Sequence, residues 1–223
     1  MQSRQLTGMS IVLIGQFNPL MYHPTWFRLN GVISGEEESL IINSKEPNLV
    51  VSQGLTFFRN SSMDFNITPD RFSVTINREP FILLKDTIVK TFERLGSTTI
   101  IQLGINYYTH VIFTEKSLYQ KFADLISPKE RWTRLLGDEI EGDNRMSGLL
   151  SLTMMKKTQD GRINITLEPS KRIELSVFVH CNFHYDLDDN SRFADYAMDI
   201  VNKKFDDIQN NADDYINELV EGI

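Results

Sequence analysis

Residues 55–74 read LTFFRNSSMDFNITPDRFSV, and residues 152–177 read LTMMKKTQDGRINITLEPSKRIELSV. Both stretches open with Leu-Thr, turn through polar residues, return as Asn-Ile-Thr, pass a proline and a basic residue, and close on Ser-Val. The triplets stand at 66–68 and 164–166, an offset of 98 in a chain of 223 residues. Self-similarity at nearly half the chain length marks a duplicated supersecondary unit.

Working outward, the first copy sits among strands expected at about 10–17, 39–43, 49–59, 62–68 and 71–77. In the first of these Ile11, Leu13 and Phe17 keep strand period, with Gln16 and Asn18 among the alternates. A short helix is expected after His23-Pro24, with Trp26, Phe27 and Leu29 buried. Gly35-Glu36-Glu37-Glu38 reads as a solvated loop, and 44–47 as a turn. Pro80 to Gly96 then brackets a helix, because proline suits a first turn and glycine a stop. Phe81, Leu84, Ile88, Phe92 and Leu95 give it one apolar stripe.

The second half repeats that order. A strand is expected from Thr98 to about Phe113, burying Ile101, Leu103, Ile105, Tyr107, Val111 and Phe113. Helices carrying Leu118, Tyr119, Phe122 and Ile126, and then Trp132, Leu135 and Leu136, come next. Strands follow at about 147–157, 161–168 and 172–185, and a last helix runs from about Ser191 to Val220. Phe193, Tyr196, Ala197, Ile200, Val201, Phe205, Ile208, Ala212, Tyr215, Ile216, Leu219 and Val220 mark its apolar side. At ~1.5 Å per residue it would be about 45 Å long. That length predicts an overhanging end, with Tyr215, Ile216, Leu219 and Val220 as an interface.

The reading is therefore an α+β chain, one domain of two pseudo-repeats (9–96 and 98–223). In element order it resembles the TATA-binding-protein-like saddle, a curved antiparallel sheet backed by two long helices. A duplicated ferredoxin-like arrangement is the alternative.

Composition narrows the function classes. The chain is 41% hydrophobic and 24% charged, enough to bury a core. No signal pattern opens it and no apolar window reaches the ~18 residues of a membrane helix, so a cytoplasmic protein away from membranes is expected. The lone Cys181 excludes an internal disulfide and reads as a small core residue. Without a secretory route, the sequons at Asn60, Asn66 and Asn164 are coincidence. Net charge is −7, yet 11 acidic and 3 basic residues lie from Asp186 onward, leaving 19 acidic and 20 basic before it. A neutral body with an acidic tail argues against nucleic acid as a partner. Lys156, Lys157, Arg162, Lys171 and Arg172 form the one local basic cluster.

No phosphate loop, Gly-x-Ser-x-Gly or His-Glu-x-x-His occurs, and Gly31 to Gly35 has the wrong spacing for a nucleophile elbow. His180-Cys181-x-x-His184 is the most tempting metal cluster. On a strand the two histidines would lie ~13 Å apart with Cys181 on the other face, too far for zinc bonds of ~2 Å. Asp186-x-Asp188-x-Asn190 starts like a calcium loop but continues with Ser191 and Ala197 where Gly and Glu are needed. Asp189 or Asn190 reads instead as a helix cap. Asp138, Glu139, Glu141 and Asp143 read as a solvated loop. No metal or cofactor is expected.

Strand parity gives a better lead. With Phe65, Ile67, Phe72, Val74 and Ile76 inward, Asn66, Thr68, Arg71, Ser73 and Thr75 face out. In the second copy Ile163, Ile165, Leu175 and Val177 turn inward, and Asn164, Thr166 and Ser176 outward. Gln102, Asn106, Tyr108, His110, His180, Asn182 and His184 extend a broad polar face with little charge. Water alone covers many such faces, but amides, hydroxyls, Tyr and His also suit directional recognition.

More specifically, the chain resembles a sporadically distributed family of bacterial and archaeal proteins. Phe58-Arg59-Asn60, Pro69-Asp70-Arg71-Phe72, the following helix and Gly104-Ile105-Asn106-Tyr107-Tyr108 carry the likeness. Arg78-Glu79-Pro80-Phe81 replaces that family's usual tryptophan or tyrosine-proline element. The resemblance implies mobile inheritance, as in defence or toxin-related gene clusters, and supplies no catalytic residues. The leading expectation is a non-catalytic adaptor that binds another protein or itself. A nucleic-acid-binding saddle and a hydrolase with an unrecognised site are the alternatives.

Overall fold

The computed structural model describes residues 3–44, 48–137, 148–188 and 192–221. Its strands are β1 (Ser3–Gly15), β2 (Leu49–Val51), β3 (Thr56–Arg59), β4 (Met63–Ile67), β5 (Arg71–Ile76), β6 (Ile100–Ile112), β7 (Leu152–Lys157), β8 (Gly161–Pro169) and β9 (Ser176–Asp186). Among the described residues these form one nine-stranded sheet, ordered β2-β3-β4-β5-β1-β6-β9-β8-β7. Every ladder is antiparallel. The order is mirrored about the central β1–β6 pair. Outward from it come β5, β4, β3 and β2 on one side, and β9, β8 and β7 on the other.

Among the described residues six α-helices accompany the sheet: α1 (Pro24–Leu29), α2 (Gly35–Ile42), α3 (Ile82–Phe92), α4 (Lys116–Ile126), α5 (Lys129–Leu136) and α6 (Ala194–Val220). One sheet face and the inner sides of α1, α2, α3, α4 and α6 share a core, to which α5 contributes no buried residue. Met9, Ile11 and Leu13 of β1, Phe72, Val74 and Ile76 of β5, and Leu103 and Ile105 of β6 are fully buried there. Phe27 of α1 meets Phe58 and Phe65, whose rings stack at 4.3 Å. Thus α1 covers the flank that α3 and α6 do not reach.

The long helix α6 lies on the sheet along its length. Ala197, Val201, Phe205, Ile208, Ala212 and Ile216 are buried, at the three-four spacing read from sequence. Its far end is seated too. Arg4 of β1 forms an ion pair with Asp213 and donates to the Asp213 carbonyl (3.0 Å) and to Asn217 Oδ1 (2.6 Å). Tyr107 donates to Asp213 Oδ1 at 2.7 Å. The expected overhang is therefore absent: Ile216 is fully buried, and Tyr215, Leu219 and Val220 pack half-buried on this chain's own core. Phe193 and Tyr196 at the helix start are half exposed rather than buried.

Other expectations also need correction. Residues 35–42 are helix, not a loop followed by a strand. Ser34 Oγ accepts from the Glu37 amide (3.1 Å) and Glu37 Oε2 from the Ser34 amide (2.9 Å), a reciprocal cap. Glu36, Glu37 and Glu38 then lie in a first turn, where the helix dipole favours acids. In α1 only Phe27 of the expected trio is fully covered, and Leu29 is exposed. Trp132, Leu135 and Leu136 of α5 are all exposed. Ile101 is exposed because the β1–β6 register slips between Ile14 and Gly15, leaving it as the extra residue.

The two Asn-Ile-Thr stretches can be compared through their register. Asn66 opposes Phe57 and Ser73, while Asn164 opposes Met155 and Asn182. With the asparagines aligned, Ser73 corresponds to Asn182 and not to Ser176. Likewise Thr56 is buried against the helices while Thr153 is exposed on the other face. The Asn-Ile-Thr match lies in equivalent places; the flanking Leu-Thr and Ser-Val matches do not. The acidic stretch 138–144 and the caps proposed at Asp189 and Asn190 lie outside the described residues.

Candidate functional site

The sheet face away from the core carries the polar alternates, and a chain of amides and imidazole runs across its centre. Asn164 Nδ2 donates to Asn182 Oδ1 (3.2 Å), and Asn182 Nδ2 donates to Asn106 Oδ1 (2.8 Å). His180 Nε2 meets the same Asn106 oxygen at 3.1 Å. Since Asn106 Nδ2 donates to the Ser10 carbonyl (3.4 Å), its oxygen is the acceptor and His180 Nε2 carries the proton. Burial, opposed by the nearby Glu168 charge, lowers the His180 pKa and keeps the ring neutral.

At the end of this face where β5, β6 and β8 terminate lies an open cleft of about 830 Å³. Tyr108, His110 and Phe178 form its floor, with ring centroids of 6.1 Å for Tyr108–Phe178 and 5.1 Å for His110–Phe178. Burial pushes the Tyr108 hydroxyl up to about 12, so a neutral phenol donates to Asn77 Oδ1 (2.8 Å). A bulge in β1 between Gln5 and Gly8, with Leu6 at φ 50°, turns Leu6 into the cleft.

Two turns wall the cleft. In the β3–β4 turn Asn60 Oδ1 accepts from the amides of Ser62 (2.9 Å) and Met63 (2.7 Å). Its Nδ2 donates to Glu37 Oε1 (3.1 Å), so the α2 cap braces the wall. Arg78 donates to the Ser61 carbonyl at 2.7 Å, and Arg59 pairs with Asp64. In the β8–β9 loop Ser170 Oγ accepts from the amides of Arg172 and Ile173, both at 3.0 Å, and meets His110 Nδ1 at 2.9 Å. Burial first, and the Arg172 charge second, lower the His110 pKa.

That serine–histidine contact has the residue types of a catalytic pair. With two backbone amides donating to it, the Ser170 oxygen has its lone pairs occupied and serves to shape the loop.

The predicted face residues thus fall into groups. Asn106, His180 and Asn164 join the central chain, and Tyr108 and His110 line the cleft. Gln102 (3.2 Å) and His184 (2.9 Å) converge on Asp186 at the opposite end of the sheet. Those bonds, with Arg162 beside them, hold the Asp186 carboxyl below its usual range. Thr166 bonds Thr153 at 2.9 Å. Asn66 is exposed on β4, and Thr68 and Arg71 sit at the β4–β5 turn, apart from the rest. Ser176 is buried, donating to the Ile173 carbonyl at 2.8 Å.

The sequence reading missed Phe178, Arg59 and Arg78. Phe178 was visible as the first even position of the series 178, 180, 182, 184. The two arginines are brought in by strand pairing that no local pattern reports. The basic cluster read from sequence divides: Lys171 and Arg172 reach the cleft, while Lys156, Lys157 and Arg162 lie at the far end of β7 and β8.

Cys181 points into the core, and burial pushes its thiol up to about 12. Among the described residues, no group of three or more His, Cys, Asp or Glu is placed to hold a metal ion. No described helix is long and apolar enough to cross a membrane. No family model and no curated protein matches the chain.

Proposed function

We propose that this chain is a non-catalytic binding component that docks a protein partner on the open face of a duplicated, saddle-like sheet. The observation that carries the reading is the Asn164–Asn182–Asn106–His180 chain, a fixed row of donors and acceptors across the open sheet face. Such a row suits directional contact, where each partner group must match a preset geometry. The mirrored strand order supports duplication, with β3-β4-β5 answering β7-β8-β9. The central β1–β6 pair supports the comparison with TATA-binding-protein-like saddles.

Apolar surface on α5 supports a protein partner. Trp132, Leu135 and Leu136 are 50%, 74% and 68% exposed, a local patch of the kind partners bury. The resemblance to a family of mobile inheritance supports a setting in a bacterial defence or toxin-neutralising assembly. Hydroxyl-radical footprinting of a complex recovered from the native host tests the reading. Tyr108, Phe178 and His180 are expected to lose reactivity on assembly; unchanged reactivity at all three would refute the face as the docking surface.

A further inference from the structure

Charge in the cleft is reversed relative to the chain. The whole molecule carries −7, yet the cleft gathers Arg59, Arg78, Lys171 and Arg172 against only Asp64 and Glu168. One carboxylate is already committed, since Asp64 is paired with Arg59. Among the described residues neither Lys171 nor Arg172 forms an ion pair, and both are exposed at the rim. A surplus of cations on an acidic protein favours an anionic ligand at this place rather than over the surface at large.

The floor adds a second requirement. Phe178, Tyr108 and His110 offer ring surface beside amide groups, so a ligand that fills the site carries a flat ring as well as a negative group. The volume of about 830 Å³ falls in the range of small-molecule sites and exceeds what inorganic phosphate needs. Both walls are held before any ligand arrives. Asn60 fixes the β3–β4 turn through two backbone amides, and Ser170 fixes the β8–β9 loop in the same way. Rigid walls lower the ordering cost of binding.

We propose that this cleft is a nucleotide-binding site, with Lys171, Arg172 and Arg78 at the phosphates and Phe178 against the base. Arginine suits that role because its planar fork matches phosphate oxygens. The acidic tail of the chain disfavours a long polyanion, so a free nucleotide is the favoured source, and a nucleotide within a single strand is the other. The cleft shares Tyr108 and Phe178 with the proposed docking face, but nucleotide binding needs no protein partner and is tested on the purified chain alone.

Calorimetric titrations with ATP, adenosine, inorganic tripolyphosphate and a short single-stranded oligothymidylate make the test. ATP is expected to bind ~10-fold or more tightly than adenosine or tripolyphosphate. Lys171→Glu with Arg172→Glu is expected to weaken it by ~10-fold or more, as loss of charge-assisted contacts would. Lys156→Glu with Lys157→Glu, distant in the same half, leaves it unchanged. Binding of the oligonucleotide alone, with the same sensitivity at Lys171 and Arg172, keeps the nucleotide chemistry and assigns the source to a strand. Absence of binding by both overturns the proposal. Tripolyphosphate equal to ATP also overturns it, as does equal loss in the two charge-reversal pairs.

Discussion

Tyr108 occupies the space that a side chain at position 8 would need. A Cβ on Gly8 would lie 2.5 Å from the Tyr108 hydroxyl oxygen and 2.7 Å from the Ile76 carbonyl. The two residues are partners across β1 and β6, so the missing side chain lets the phenol cross β1 and reach Asn77 beyond β5. This crossing builds the floor of the cleft. Gly8→Ala is expected to cost about 1–3 kcal/mol by overpacking. Adding Tyr108→Ala should return part of that loss, because the Ile76 carbonyl alone would still be crowded. Urea denaturation of the two variants and of Tyr108→Ala measures the coupling; strict additivity would refute the account.

The seat of α6 depends on Arg4 and Asp213 acting with Tyr107. Removal of either charged partner should lower stability by about 1–3 kcal/mol, the range for hydrogen bonds to charged groups, nearer the low end because both are partly exposed. The double variant should lose less than the two single losses combined. Truncation before residue 209 removes Ala212, Asp213 and Ile216 together and should prevent stable folding. A truncated chain with unchanged thermal midpoint would show that this end of the helix is not part of the core.

Acid should loosen the open face. His180 and His110 both have folded pKa values below the ordinary 6.5, chiefly through burial. A depressed histidine binds fewer protons folded than unfolded, so its stabilising effect is complete above ~6.5 and is lost as pH falls toward the folded values. Stability is therefore expected to drop between neutral pH and pH ~5, where carboxylates still differ little. His180→Gln, which retains a donor for Asn106, should flatten that slope. An identical pH profile for wild type and variant would contradict the assignment.

Cys181 should be inert in the native protein. Its side chain is fully buried and its thiol is pushed up to about 12, so almost no thiolate exists at neutral pH. Ellman's reagent is expected to react only at the rate of unfolding and stoichiometrically in denaturant. Fast reaction in buffer would mean that β9 is not paired as described.

Much of the architecture was legible because it is written in periodicity. The stripes of α3 and α6 and the parity of β4, β5 and β9 depend on local spacing, and burial follows them with few exceptions, whereas β8 is part-buried on both faces apart from Leu167. The polar face was legible for the same reason: even positions from Gln102 to His110 and from His180 to His184 repeat with strand period. Two bulges in the β1–β6 ladder were not legible, and they decide that Leu6 enters the cleft and Ile101 turns outward. The helix α2 was hidden by its run of glutamates, although Ser34 and Glu37 spelled out its cap. The cleft was hidden for a different reason. Arg59, Arg78, Arg172 and Phe178 come from separate strands and loops, and only the pairing order brings them to one end of the sheet.

The open face as a docking surface is tested most directly by mass in solution. The protein would be recovered from its native host as wild type and as Asn164→Lys with Thr166→Lys, both positions on β8 and neither in the core. The wild type is expected in a complex of defined stoichiometry, heavier than the 25.8 kDa chain, and the variant at the mass of the folded chain alone. A wild-type protein that is recovered alone, or a variant that retains the complex, would contradict the account.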